Sequence, residues 1–254
     1  MKTPFIFIQA RMGSTRLPGK VLKPIAGKVQ LLHLIDRLGS FTARGQVTVL
    51  TTDQKIDDEL ADFCKEHDIA CFRGSENDVL DRYYQAAVAA GVNENDSIVR
   101  ITSDCPLHHK DVVKFALKEF ETHQLDYFSN SFAPHYEDGC DTEVFSLHAL
   151  EVAHRKARLS SQREHVTPFI KDSGMFTCGY RKYNTDYTFK LSVDTAEDHA
   201  AVENIFNAFS DREDFTIDEV VSLLKQKPEL VAVNKSSVIN SGYAKSLAED
   251  KEIK

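Results

Sequence analysis

A chain of 254 residues with 42% apolar and 28% charged residues can bury one sizeable core, as a single α/β domain or a domain with an arm. No run reaches membrane-helix length, and the apolar start PFIFIQA is too short for a secretion signal, so a cytoplasmic location is expected. The net charge of −8 argues against a nucleic-acid binder, but residues 1–35 hold Lys2, Arg11, Arg16, Lys20, Lys23 and Lys28 with no acid, leaving −14 for the remainder; such a cationic island suits a polyphosphate.

The first half alternates two periods. PFIFIQA (4–10) reads as a buried strand, and Val29–Leu38 is spaced as a helix. Strands follow at 46–52, 69–73 and 97–102, with helices at 56–66, 76–90 and 110–120 between and after them. That alternation predicts an α/β fold whose mostly parallel central sheet carries helices on both faces. Ser75/Asp78, Ser161/Glu164, Thr195/Asp198 and Thr216/Glu219 have capping-box spacing and predict helix starts near 76, 162, 196 and 217. Residues 125–190 read as a mixed insertion or arm: four strand-like runs (DYFSNSFAP, DTEVFS, MFTCGYRKY, YTFKLSV) and helices near 147–157 and 162–172. One unit over 1–233 with a polar, irregular tail at 234–254 is the simplest partition. Phe63, Phe115, Phe206 and Phe209 face the core by helical period. His108 and His109 read as an exposed helix start without zinc spacing. Five cysteines, with no CxxC pair, are expected as reduced thiols.

The run ARMGSTRLPGKVL follows the first strand at once, where ligands of open α/β sheets bind. Gly13 and Gly19 let backbone N–H groups approach phosphate oxygens; Arg11 and Arg16 offer planar forks and Lys20 a point charge. The spacing is neither that of a Walker A loop nor GxGxxG. Asp104 stands just past the strand SIVRIT, and Asp194 just past the strand-like TFKLSV. If both runs lie in the central sheet, the two carboxylates face the basic loop. Mg²⁺ is commonly held by one or two carboxylates plus substrate phosphates.

With those residues in view, ARMGSTRLPGKVLKPIAGK resembles the N-terminal signature of the 3-deoxy-manno-octulosonate and acylneuraminate cytidylyltransferases. FRGSENDVLDRYYQAA, VRITSDCPL, GCDTEVFSLHAL, SQREHVTPFI, LSVDTAEDHA and VNKSSVINSGYAKSLAED are more similar still to the branch of spore coat polysaccharide biosynthesis protein F. The resemblance spans essentially the whole chain. It implies a three-layer nucleotidyltransferase fold of the glycosyltransferase-A type, Mg²⁺ as cofactor, CTP and a sugar acceptor as partners, and CMP-sugar and pyrophosphate as products. The strand-rich insertion at 125–190 is a candidate dimer arm, so a homodimer is expected; the acidic net charge and the lack of a membrane-length run make neither a nucleic-acid nor a membrane partner expected.

By position, Ala10, Arg11, Gly13, Ser14, Arg16 and Lys20 match the nucleotide-binding loop, and Asp104 and Asp194 match the metal-binding aspartates. Ser75, Asp78 and Arg82 fall where members contact base and sugar. Lys20, Arg11 and Asp104 are the expected catalytic residues. Asp141, Glu143, Arg163, Glu164 and His165 are the sugar-binding candidates, with the carboxylates on hydroxyls and Arg163 on a substrate carboxylate. The sequence departs from the sialic-acid type at Thr15 and Val21 and from the octulosonate type at TSDCP, which leaves the acceptor open. Two alternatives use the same fold: a glycosyltransferase taking a ready-made nucleotide-sugar, which usually needs an Asp-x-Asp motif where only Asp104 stands, and a non-catalytic nucleotide-binding subunit.

Overall fold

The apolar run that opens the sequence becomes a central strand. β1 (Pro4–Gln9) lies between β4 (Val47–Thr52) and β6 (Ser97–Thr102), parallel to both. Ile6, Phe7 and Ile8 are wholly buried, as a strand covered on both faces requires. The computed structural model describes residues 4–43, 45–210, 212–237 and 241–253; Lys2 of the basic segment, and 238–240 and 254 of the expected tail, lie outside them.

The remaining strands are β2 (Pro24–Ile25), β3 (Lys28–Val29), β5 (Ala70–Gly74), β7 (Tyr127–Ser129), β8 (Glu143–Phe145) and β9 (Cys178–Tyr180). Seven strands form one sheet in the order β5-β4-β1-β6-β8-β7-β9; β2 and β3 form a separate hairpin. The β5-β4-β1-β6 half is parallel, β8 runs against both β6 and β7, and β9 is parallel to β7. The expected arm thus supplies three strands to the central sheet.

The longer helices are α1 (Gln30–Leu38), α3 (Asp58–Glu66), α4 (Val79–Ala89), α5 (Lys110–Thr122), α6 (Leu147–Lys156), α9 (Ala196–Ala208) and α10 (Ile217–Gln226); α2 (Ser40–Ala43), α7 (Ser160–His165), α8 (Pro168–Asp172) and α11 (Ser241–Ala248) are shorter. The pleat of β1 sorts them into layers. Ile6 and Ile8 pack with Leu31, Leu34, Leu60 and Val113 on one face, whereas Phe7 packs with Leu80, Tyr83, Leu150 and Ala153 on the other. A third core joins α9 and α10 to Leu107, Tyr187, Leu191 and Val193.

Several expectations change for local reasons. The helix expected from 76 starts at Val79: Ser75 Oγ accepts from the Asp78 N–H at 3.1 Å as a turn, and Asp78 caps α4 by accepting from Asp81 N at 2.9 Å. The boxes at Thr195/Asp198 and Thr216/Glu219 form with both reciprocal bonds. The one at Ser161/Glu164 does not, because Ser161 Oγ bonds Asp250 at 2.8 Å and Gln162 takes the Leu159 N–H at 3.1 Å. The helix expected over 162–172 is broken between α7 and α8, where Val166 has φ +69° and Pro168 opens the next turn. TFKLSV has no ladder partner. Its alternation comes from Leu191 and Val193 entering the third core, while their N–H groups bond Asp138 O at 3.1 Å and Asp104 O at 2.7 Å. The tail is not irregular where described: α11 places Tyr243 against His165, and Lys251 O accepts from Ser160 N at 2.8 Å. His108 and His109 are buried, not exposed; His109 caps α5, and burial holds the two imidazoles down to about 3 and about 4.

Candidate active site

The loop that leaves β1 is pinned at its base. Ala10 N donates to Leu50 O at 3.0 Å, and Met12 N to Asp57 Oδ1 at 2.6 Å. Met12 O accepts from both Ser14 N (2.9 Å) and Gly19 N (3.0 Å), which folds the loop back on itself. Gly19 closes that turn at φ +68°, a left-handed conformation that favours glycine. A Cβ at Gly13 would meet nothing within 4 Å, so the backbone there is open to a ligand. Arg11 and Arg16 extend outward with half of each side chain exposed, and Arg11 lies 3.6 Å from Glu76.

Lys20 turns inward. Its ammonium donates to Val193 O (2.7 Å), Asp194 Oδ1 (3.0 Å) and Asp104 Oδ2 (3.3 Å). Arg16 Nη2 lies 3.2 Å from Asp194 Oδ2. The basic loop and the two distant carboxylates therefore meet at one edge of the sheet. Asp104 arrives there on the turn after β6, held by Ser103 N to Gln9 O at 2.9 Å. Asp194 arrives by a different route from the one expected: its segment hangs on the Asp104 carbonyl through Val193 N instead of running as a sheet strand. Burial pulls the Lys20 pKa down, but Asp104 and Asp194 outweigh it and hold it above the ordinary lysine value. The reciprocal effect, with Thr102 and Cys105, keeps Asp104 ionised against its own burial.

Below this rim opens a cleft of about 660 Å³, lined among others by Arg16, Asp104, Asp138, Asp141, Glu143, His165 and Asp194. Gly139 seats the Asp138–Asp141 turn against the Asp194 segment: a Cβ there would come within 2.6 Å of the Leu191 backbone, and φ is +93°. Burial, then the neighbouring Asp138, pushes Asp141 up to about 7. At the floor, Arg100 bonds Glu143 at 2.5 Å, and Tyr127 and Thr167 also donate to Glu143. Against the cost of burial, Arg100 and then Lys171 hold Glu143 down to about 2.

Two of the five sugar-binding candidates are not in this cleft. The guanidinium of Arg163 is consumed by Asp78 (Nε to Oδ2, 2.9 Å) and by His154 O (2.7 Å), which ties α7 to α4. Asp78 is thereby occupied as well. Glu164 points away from the cleft and accepts from Ser246 Oγ at 2.7 Å. His165, Asp141 and Glu143 do line it. Arg82 is buried under Gly74 with Nε and Nη1 unpartnered, and it does not reach the cleft surface.

Sequence reasoning missed three contributors. Lys190 Nζ bonds Asp198 (3.0 Å) and Asp194 (3.4 Å), bracketing Asp194 from the side opposite Lys20. Asp138 accepts from Ser192 N at 2.9 Å and fixes the same segment. Arg100 is the charge inside an otherwise uncharged strand, and that anomaly was the available signal for a buried partner.

The motif-level resemblance can be set against known proteins over the whole chain. A family model described as cytidylyltransferase matches residues 5–237. The chain belongs to the cytidylyltransferase family. It is 32% identical over 240 residues to an uncharacterised protein of Methanocaldococcus jannaschii, covering 93% of this chain and 96% of that one. It is 28% identical over 238 residues to the spore coat polysaccharide biosynthesis protein SpsF of Bacillus subtilis, covering 90% and 97%. Among solved structures, a cytidylyltransferase from Leptospira borgpetersenii is 30% identical with a TM-score of 0.84, covering 94% of this chain and 99% of that one. The mostly parallel sheet with helices on both sides is thus the fold of this family, and β8 makes it mixed. Among the described residues no helix is long and apolar enough to cross a membrane.

Proposed function

We propose that this cytidylyltransferase moves the cytidylyl group of CTP onto a sugar, releasing pyrophosphate and a CMP-sugar for surface polysaccharide synthesis. The observation that carries the reading is the meeting of Arg16, Lys20, Asp104 and Asp194 within 3.3 Å contacts at the mouth of one cleft. The polysaccharide context is supported by the likeness to SpsF.

The donor set fits Mg²⁺: two carboxylates and the Val193 carbonyl face one point, all hard oxygens. Held by Asp104 and Asp194, Mg²⁺ would supply positive charge at the α-phosphate and at the attacking hydroxyl.

The chain's own residues do the positioning. The open backbone at Gly13 and the exposed guanidiniums of Arg11 and Arg16 receive the triphosphate. Lys20 and Arg16 stabilise charge growing on the departing pyrophosphate. The sugar occupies the cleft between Asp141 and His165, its hydroxyl facing the rim. Preorganised charge and orientation, with little covalent chemistry, carry such a transfer.

The test offers each of the four nucleoside triphosphates with Mg²⁺ and a panel of acidic and modified sugars, and measures pyrophosphate. Release confined to CTP and dependent on one sugar is the expected result. Turnover of a nucleotide-sugar without pyrophosphate would replace this reading with the glycosyltransferase one.

A further inference from the structure

The three N–H bonds of the Lys20 ammonium are all spent on oxygens that a hard divalent cation would use. They go to Val193 O at 2.7 Å, Asp194 Oδ1 at 3.0 Å and Asp104 Oδ2 at 3.3 Å. The Lys20 side chain is only 12% exposed, so this is a seated contact and not a passing surface pair. Around the same point, Arg16 lies 3.2 Å and Lys190 3.4 Å from Asp194 Oδ2. The other oxygen of Asp104 accepts from the Cys105 thiol at 3.5 Å.

We infer that Lys20 is a resident counter-cation that keeps free divalent metal off the Asp104–Asp194 pair and yields that place only to a metal arriving with a triphosphate. The inference rests on reading the pair as the Mg²⁺ site. A lone divalent ion approaching these oxygens meets three positive side chains and has no new acceptor to offer Lys20. A metal–triphosphate complex brings its own anionic oxygens. Those can take the N–H groups of Lys20 and the fork of Arg16, so the ammonium is exchanged from carboxylates to phosphate instead of being left unpaired. The loop geometry favours such a swing. Lys20 follows Gly19 at the start of the 3-10 turn Lys20–Leu22, beside the open backbone of Gly13. One residue then serves the carboxylates and the phosphates in turn, and metal and nucleotide bind as a unit.

The experiment measures Mn²⁺ binding without nucleotide, by the electron paramagnetic resonance signal of the free ion. Wild type, Lys20→Met, Lys20→Arg and the double variant Lys20→Met/Asp104→Asn are compared, with circular dichroism and thermal melts as a check on folding. Lys20→Met is expected to bind Mn²⁺ about tenfold tighter than wild type, the scale of removing one charge from a half-buried site. Lys20→Arg restores exclusion, and Asp104→Asn cancels the gain. If Lys20→Met melts early, Lys20→Gln replaces it.

Equal Mn²⁺ affinity in wild type and a folded neutral variant overturns the inference. CTP turnover by wild type is read separately in the same buffer. Turnover without the affinity gain sinks the counter-cation role alone; the gain without turnover sinks the cytidylyl reading and leaves the counter-cation role standing.

Discussion

The cleft holds two sets of paired charges that solve opposite problems. At the floor, Glu143 is buried against the mostly covered Arg100, and Tyr127 and Thr167 complete the carboxylate's bonds. At the rim, Asp104 and Asp194 meet Lys20, while Arg16 keeps half its surface in solvent. The floor is a closed network that joins β6 to β8, the one antiparallel junction between the parallel half of the sheet and the rest. The rim joins the loop after β1 to two turns, and in the proposed role its partners are those a ligand would replace. Satisfied burial marks structure; exchangeable pairing marks the site.

Breaking the floor gives the largest expected effect. Arg100→Met removes the bonded cation of Glu143 and leaves it the more distant Lys171, at 3.9 Å; breaking one side of such a buried pair typically costs about 3–5 kcal/mol. Urea unfolding at neutral pH checks this. A loss within error of zero would mean that Glu143 finds another partner and that the floor is as exchangeable as the rim. Because the Glu143 pKa is held down to about 2, the pair contributes stability above about pH 4.5 that is lost as pH falls toward 2.

Breaking the rim changes rate instead. Lys20→Ala and Asp104→Asn each remove one contact aimed at developing charge, worth about 3–4 kcal/mol of barrier or 10²–10³ in kcat. Steady-state pyrophosphate release at saturating Mg²⁺ checks it, alongside the melting temperature. Near-normal kcat in either variant would reject that residue's role. A fall in stability as large as that of Arg100→Met would erase the contrast between floor and rim.

The same contrast explains what could be read in the sequence. The parallel half was legible because β1, β4 and β6 are local apolar runs whose period shows before any tertiary contact forms. Lys20, Asp104 and Asp194 were legible as chemistry at the ends of such runs. Their meeting was expected through a sheet strand, whereas a backbone bond from Val193 to Asp104 produces it. The bonds that Arg163 and Glu164 already make were not legible, for a physical reason. Composition shows which side chains are polar but not which are already spoken for, and Asp78 and Ser246, distant in sequence, claim both. Lys190 and Asp138 were passed over for the converse reason: each acts by holding Asp194 or its segment, a role with no signature of its own.

Asp141 stands between floor and rim, and its behaviour tests whether the cleft's middle belongs to either. It has no cation within bonding distance among the contacts described; its carboxyl accepts from Gly139 N at 3.0 Å, with Asp138 as an acidic neighbour. Its pKa therefore rises to about 7. The native state keeps a proton that the unfolded chain releases near pH 4, so folding becomes less favourable as pH climbs from about 4 to 7, the reverse of the Glu143 case. Asp141→Asn has no such proton to lose. Relative to wild type, the variant should gain on the order of 2 kcal/mol between pH 5 and pH 8, measured by denaturant unfolding of the ligand-free protein at both values. A constant difference across that range would mean that Asp141 stays ionised throughout, paired like Glu143. A gain of the expected sign would make Asp141 a carboxyl that is half protonated near neutrality inside the cleft, able to accept or donate a hydrogen bond to a sugar hydroxyl as the substrate requires.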